Sequence, residues 1–190
     1  MVRIKYIQRN CFNETQQKYF ENLTGGKRGT GSSIEAFFTP EGGLKGPFNA
    51  WLRSPEIGDV AQRLGEAIRF EISLLPRHRE LAILVVASYW EAKYEFWAHE
   101  KIARREGVDE GLIESLKSGV RPDFVLPMDA LIYDFSREVI DERKVSDRHF
   151  KEAVLQLGEA GVVDLVMLLG YYTLVSMTLN VFEVPVPVGK

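Results

Sequence analysis

The stretch PRHRELAILVVASYWEAKYEFWAHEKIA, residues 76–103, decides the fold. Pro76 suits the first turn of a helix because it lacks the N–H group that goes unpaired there. The apolar run Leu81-Ala-Ile-Leu-Val-Val-Ala-Ser88 continues that helix into a protein interior. A second helix begins near Lys93 and stops at Gly107, since glycine commonly follows a helix C-terminus. The stretch therefore predicts two consecutive helices, the first of them buried.

Upstream, residues 1–46 read as an N-terminal arm. Asn13 can cap a short helix that ends at Leu23, and Gln16 completes a loose capping box. The glycine-rich segment GGKRGTGSS, residues 25–33, predicts a loop, and further glycines keep the chain irregular up to residue 46. We therefore expect the main helical domain to cover residues 47–190.

Within that domain the helix signals recur at ordinary intervals. Besides the two central helices, we expect helices at 55–72, 109–119 and 127–142, one that begins near residue 146, and an apolar one that follows Gly161 and covers 162–182. No alternating apolar pattern indicates strands. The sequence thus predicts an all-α bundle of about eight helices.

Composition narrows the class of protein. A formal net charge of −3 argues against a nucleic-acid-binding protein, which usually carries a basic patch. The single cysteine, Cys11, cannot form an internal disulfide, and residues 1–20 show no signal-peptide pattern. We therefore expect a cytoplasmic protein.

The apolar segment 162–182 is long enough to span a bilayer. However, Asp164 lies inside it, and both flanks are acidic, with Glu159 on one side and Glu183 on the other. Membrane helices usually have basic residues on one flank, so we expect a buried helix or a subunit interface and no membrane partner. Its surplus apolar surface predicts a homo-oligomer, most simply a trimer or hexamer.

Glu95 and His99 are the residues most suited to chemistry. They lie one helical turn apart on the apolar face of the second central helix, and Glu80 begins the preceding apolar helix. Two carboxylates and an imidazole at the edge of one core suit general acid–base catalysis. A satisfied internal ion pair, or a histidine that anchors a loop, would give the same pattern.

The motif Arg79-Glu80-Leu-Ala-Ile-Leu84, followed by Tyr94-Glu95-Phe-Trp-Ala-His99, resembles the core of carboxymuconolactone decarboxylases and alkylhydroperoxidase-D-like proteins. The segments Gly46-Pro-Phe-Asn-Ala-Trp51 and Gly170-Tyr-Tyr-Thr173 resemble the decarboxylase-like branch. The resemblance spans roughly residues 46–187 and implies the alkylhydroperoxidase-D-like helical bundle.

The resemblance also separates two kinds of chemistry. Peroxidase members of the family carry a cysteine pair, and the corresponding positions here are Ala92 and Glu95, which cannot form the thiolate that attacks a peroxide. The decarboxylase-like branch instead implies a cofactor-free site for a small carboxylated lactone or similar organic acid. His99 would then donate a proton to carbon, Glu95 would orient it or share the proton, and Glu80 would be the second relay member.

Substrate-binding candidates follow from the same reasoning. Positive partners for a substrate carboxylate are Arg53, Arg77 and Arg79, although each of them can instead pair with a protein carboxylate. Pocket candidates are Asn49, Trp51 and Trp90.

Two alternatives stay open. Glu80, Glu95 and His99 would suit a metal ion such as iron, manganese or zinc. The chain could also be a non-catalytic family member that keeps the fold as an oligomeric scaffold.

Overall fold

The computed structural model describes residues 2–187, and the regular secondary structure of this part of the chain is helical. Its helices are α1 (Glu14–Gly25), α2 (Phe48–Trp51), α3 (Pro55–Phe70), α4 (Pro76–Tyr89), α5 (Lys93–Arg105), α6 (Glu110–Lys117), α7 (Pro127–Glu142) and α8 (Asp147–Val181). Short 3-10 turns lie at Arg9–Cys11, Lys27–Gly29 and Ile34–Phe37. Pairing of β type is limited, in the described residues, to one isolated bridge between Phe38 and Leu44. The predicted all-α class is confirmed.

Local signals placed most helix ends correctly. The Asn13 side chain accepts a hydrogen bond from Gln16 N, and the Gln16 side chain accepts one from Asn13 N, which completes the capping box of α1. Pro76 and Pro127 occupy the first turns of α4 and α7. Gly107, just after α5, has a φ of 84°, the left-handed conformation that glycine adopts at little cost.

The sequence prediction was wrong about where the last helix bends. The predicted break at Gly161 does not occur, and α8 instead kinks at Gly158, which has a φ of 72° and a ψ of 168°. This conformation is open to glycine because glycine has no Cβ. Gly161 stays helical, where a Cβ would lie 2.7 Å from the Leu157 Cβ. The short helix α2 was not predicted either.

The chain forms two compact units, and each has its own core. The first comprises residues 2–71 and 178–185. Tyr19, Phe20 and Leu23 from α1 are at most 1% exposed and pack with Leu44 and Leu52. Because α1 contributes its large side chains to this core, the boundary falls at residue 71 rather than at the predicted residue 46.

The second unit comprises residues 72–177 with 186 and 187. Helix α4 is its centre, since every side chain from Glu80 to Ala87 is buried. It packs against α5 and α7. Glu80 is the first residue of this buried run, and a buried carboxylate must find partners nearby. Helices α4 and α5 therefore position the site.

Helix α8 combines a buried face with an exposed apolar one. It is the one described helix long and apolar enough to cross a bilayer, with a mean hydropathy of 1.7 over its most apolar window, of which 56% is buried. A core helix of a soluble protein has the same properties. Large side chains exposed on its outer face are Val163, Val166, Met167, Leu174 and Met177.

Candidate active site

The imidazole of His99 lies between two carboxylates. Its Nδ1 is 2.7 Å from Glu80 Oε2, and its Nε2 is 3.0 Å from Glu95 Oε1. His99 is 8% exposed, Glu80 is 2% exposed and Glu95 is 5% exposed. An ionised carboxylate only accepts hydrogen bonds, so when both carboxylates are ionised each ring nitrogen of His99 donates its proton to one of them. The predicted proximity of Glu80, Glu95 and His99 is confirmed.

Electrostatics favour the same protonation state. Burial opposes a charge on His99, but the carboxylates of Glu95 and Glu80 outweigh burial and raise the pKa of His99 to about 9. Burial likewise opposes the Glu80 carboxylate, yet its hydrogen bond to His99 and the charges of His99 and Arg79 hold the pKa of Glu80 below its ordinary value. At neutral pH the site therefore contains an imidazolium between two carboxylates.

Arg79 extends this arrangement by one more charge. Its Nε lies 3.3 Å from Glu80 Oε1, and its side chain is 14% exposed. Arg79, Glu80, His99 and Glu95 thus alternate in sign, and we call these four residues the charge row. Among the predicted arginines, Arg79 is the one that the structure places in contact with the relay carboxylates.

Helix α8 adds an aromatic wall that sequence reasoning did not assign to the site. The ring of Tyr172 meets the ring of His99 edge-on, with centroids 5.2 Å apart and an interplanar angle of 86°. Tyr171 packs edge-on against Tyr172 at 5.3 Å. Both tyrosines belong to a segment that contributed to the family resemblance, but nothing in their spacing from residue 99 indicated a contact.

Arg77 has a different partner. Its Nε and Nη2 donate to the two carboxylate oxygens of Asp129 at 3.2 and 2.5 Å, and Asp129 is 1% exposed. Such a two-point contact neutralises a buried carboxylate. Trp90, also proposed from sequence, packs edge-on against Tyr89 at 5.9 Å.

The remaining binding candidates belong to the first unit. Asn49 Oδ1 accepts a hydrogen bond from Ile7 N at 3.3 Å, and Trp51 Nε1 donates to Thr178 Oγ1 at 3.3 Å. Arg53 donates to the carbonyl oxygen of Asn49 at 2.7 Å. Their role in substrate binding stays a prediction.

A metal centre fits the geometry of His99 poorly. Both ring nitrogens already have a carboxylate oxygen as partner, at 2.7 and 3.0 Å, so a metal ion would have to displace one of these contacts to bind the ring. Within residues 2–187, no group of three or more histidine, cysteine, aspartate or glutamate side chains is arranged to hold a metal.

A cavity of about 560 Å³ opens beside the site, on the neighbouring face of α5. Its lining includes Ala92, Lys93, Phe96, Trp97, Glu100 and Lys117. Ala92 precedes Glu95 by three residues and Phe96 follows it directly, so the cavity borders the helical turn that carries this carboxylate. Ala92 stands at one of the two positions where peroxidase members of the family that this sequence resembles carry cysteine. The single cysteine of the chain, Cys11, is exposed and forms no disulfide.

Comparison with known proteins supports the fold. No protein-family model and no curated protein sequence matches this chain. A solved structure of an uncharacterized peroxidase-related protein from Silicibacter sp. TM1040 is similar, with a TM-score of 0.68 at 15% identity. The match covers 97% of this chain and 91% of that protein. The chain therefore has an alkylhydroperoxidase-D-like fold, and at this identity the likeness extends to the fold alone.

Proposed function

We propose that this chain is a cofactor-free acid–base enzyme that acts on a small carboxylated lactone or similar organic acid, by decarboxylation or a related lyase or isomerase step. The observation that carries this proposal is the buried imidazolium of His99 between Glu80 and Glu95. A buried proton donor that is charged at neutral pH, next to a carboxylate that can pass the proton on, suits protonation of a carbon atom.

The proton has a defined route in this proposal. Loss of carbon dioxide breaks a carbon–carbon bond, and its electron pair forms an enolate that must take a proton at carbon. Because both nitrogens of His99 are hydrogen-bonded to carboxylates, the proton passes through Glu95, the more exposed of the two, and His99 regains a proton from water afterwards. Arg79 is the positive group best placed to attract the substrate carboxylate.

Thiol-based peroxide reduction is not part of the proposal, although the structural relative is named peroxidase-related. That chemistry needs a thiolate and a resolving thiol. Alanine and glutamate stand at the two relevant positions, 92 and 95, and the chain has one cysteine in total.

The test is turnover of carboxymuconolactone, measured as the release of carbon dioxide. We expect His99→Gln and Glu95→Gln each to reduce kcat/KM by at least about 100-fold, the usual contribution of a general acid. The control is His149→Gln, because His149 also pairs with a glutamate, Glu138 at 2.8 Å, but at a more exposed position away from the site. Circular dichroism verifies that each variant is folded.

The alternatives predict other results. No turnover by the wild-type protein would favour the non-catalytic scaffold, and full activity of folded His99→Gln would place the proton donor elsewhere. Turnover that a chelator abolishes and added metal restores would favour the metal-dependent enzyme.

We also propose that the chain acts as a cytoplasmic homo-oligomer, a trimer or hexamer. The support is the outer face of α8, where five apolar side chains between Val163 and Met177 are 39% to 61% exposed and lie on one side of the helix. Light scattering at micromolar concentration tests this, since a monodisperse mass near 21.6 kDa would contradict it.

A further inference from the structure

A second cavity, of about 470 Å³, opens in the first unit and has a volume typical of small-molecule sites. No aspartate or glutamate is among its lining residues in the described part of the chain, but four basic residues are: Lys27, Arg28, Lys45 and Arg69. Of these, Lys27 pairs with Glu71 at an exposed position. The whole protein has a formal net charge of −3, so this positive charge is a local feature. A cleft lined by one sign of charge attracts a ligand of the opposite sign.

Two of the basic residues lack a carboxylate partner. Within residues 2–187, neither Arg28 nor Lys45 forms an ion pair. Lys45 Nζ donates to the carbonyl oxygen of Ala36 at 2.8 Å, which is a neutral acceptor. Arg28 is half-buried, and its Nε has no hydrogen-bond partner in this part of the chain; Glu66 accepts from its main-chain N instead, at 3.2 Å. A partly dehydrated cation without a counter-charge is unfavourable, and an anion in the cavity would neutralise it.

Phenylalanine rings form the apolar part of the cavity wall. Phe37 and Phe48 pack against the core of the first unit, and Phe70 is 42% exposed. The guanidinium carbon of Arg28 lies over the Phe48 ring, 5.7 Å from its centroid. That of Arg69 lies over the Phe70 ring at 5.6 Å. Aromatic surface beside positive charge suits a ligand that is both flat and anionic.

We propose that this cavity binds an organic anion that has a flat aromatic body and a carboxylate or phosphate group. Arg28 and Lys45 pair with the anionic oxygens, since guanidinium and ammonium groups are the usual partners of carboxylates and phosphates. The phenylalanine rings contact the aromatic body. The inference goes beyond the proposed function and does not depend on it, because every residue that carries it belongs to the first unit.

The test is equilibrium binding to the full chain, measured by calorimetry with naphthoate and naphthyl phosphate. The two probes share the aromatic body and distinguish a carboxylate ligand from a phosphate ligand. We expect at least one of them to bind, more weakly as the salt concentration rises. Arg28→Gln and Lys45→Gln should each raise its Kd at least about ten-fold, the usual contribution of a hydrogen bond to a charged group. The matched control is Lys18→Gln, which removes an exposed positive charge from α1, outside the cavity lining, and should leave the Kd unchanged.

Three further probes show which part of the ligand is recognised. Naphthalenemethanol lacks the charge, and acetate and inorganic phosphate lack the aromatic body, so each should bind at least about ten-fold more weakly. Equally tight binding of any of them would overturn the inference, as would the absence of binding by both charged aromatic probes.

The variants and the salt dependence separate a built site from general attraction. An equal rise of the Kd in Lys18→Gln and Arg28→Gln would indicate nonspecific attraction and overturn the inference. Circular dichroism verifies that the variants fold. The salt dependence of the wild-type protein needs no substitution, and an affinity independent of salt would overturn the role of the basic residues. None of these results bears on the turnover of carboxymuconolactone, so the two proposals fail separately.

Discussion

Raising the pH from 6.5 to 9 should destabilise the folded protein through His99. The pKa of this residue is 6.5 in an unfolded chain and about 9 in the fold. Below pH 6.5 both states bind the proton, and the stabilisation is complete. As the pH rises through 9, the folded state loses its proton and the stabilisation disappears. At about 1.4 kcal/mol per pH unit, the loss amounts to about 3 kcal/mol over this range.

Two other groups with shifted pKa values, Glu80 and His78, act in different pH ranges. The pKa of Glu80 is held below its ordinary 4.5, so its contribution is present above that pH and is lost as the pH falls further. Burial lowers the pKa of His78, so its effect lies below pH 6.5 and has the opposite sign to that of His99. The decline between pH 6.5 and 9 is therefore assigned to His99.

Urea denaturation at pH 6, 7.5 and 9 measures the effect directly. The matched variant is Glu95→Gln, which keeps a hydrogen-bond acceptor beside His99 Nε2 but removes the negative charge. Because that charge helps to raise the pKa of His99, the variant should show a smaller decline. A free energy of unfolding that is constant between pH 6.5 and 9, or an equal decline in Glu95→Gln, would refute the reasoning.

Three further predictions concern residues outside the charge row. Arg77→Ala should lower the free energy of unfolding by about 3 kcal/mol in denaturation experiments because it leaves the buried carboxylate of Asp129 unpaired; Arg137→Ala, which breaks an exposed pair, should cost under about 1 kcal/mol. Cys11→Ser should leave turnover unchanged, and neither form should consume peroxide with a dithiol donor. Asn13→Ala should lower the free energy of unfolding by about 1 kcal/mol, measured by thermal unfolding, because it removes the cap of α1. An unchanged free energy of unfolding would mean that the cap does not stabilise the fold.

The fold could be predicted where the signal lies within a few residues of its effect. The capping pair Asn13 and Gln16, and the prolines at 76 and 127, act on their own helix ends, and each was placed correctly. The bend in α8 was placed three residues too late because Gly158 and Gly161 offer the same local signal. Only the packed structure decides which glycine takes the left-handed conformation.

The site divides in the same way. Glu95 and His99 lie one turn apart on one helix, so their contact follows from spacing alone. The contact of Glu80 with His99 depends on the packing of α4 against α5, which residue spacing does not predict. The resemblance to the family motif indicated that Glu80 belongs to the site. The partner of Arg77 is 52 residues away, and the contact of Tyr172 with His99 joins helices distant in sequence. Such contacts depend on how the helices pack, which periodicity does not specify.

The charge row also determines how the site attracts a ligand from a distance. Arg79 and His99 carry positive charges, Glu80 and Glu95 carry negative ones, and the four sum to zero. The fields of adjacent opposite charges largely cancel beyond their immediate surroundings. A cleft with net charge speeds the arrival of an oppositely charged ligand, and dissolved salt weakens that effect. The charge row therefore supplies no long-range attraction of its own, and any steering of an organic anion must come from charged residues elsewhere in the protein, such as Lys93 and Lys117 at the neighbouring cavity.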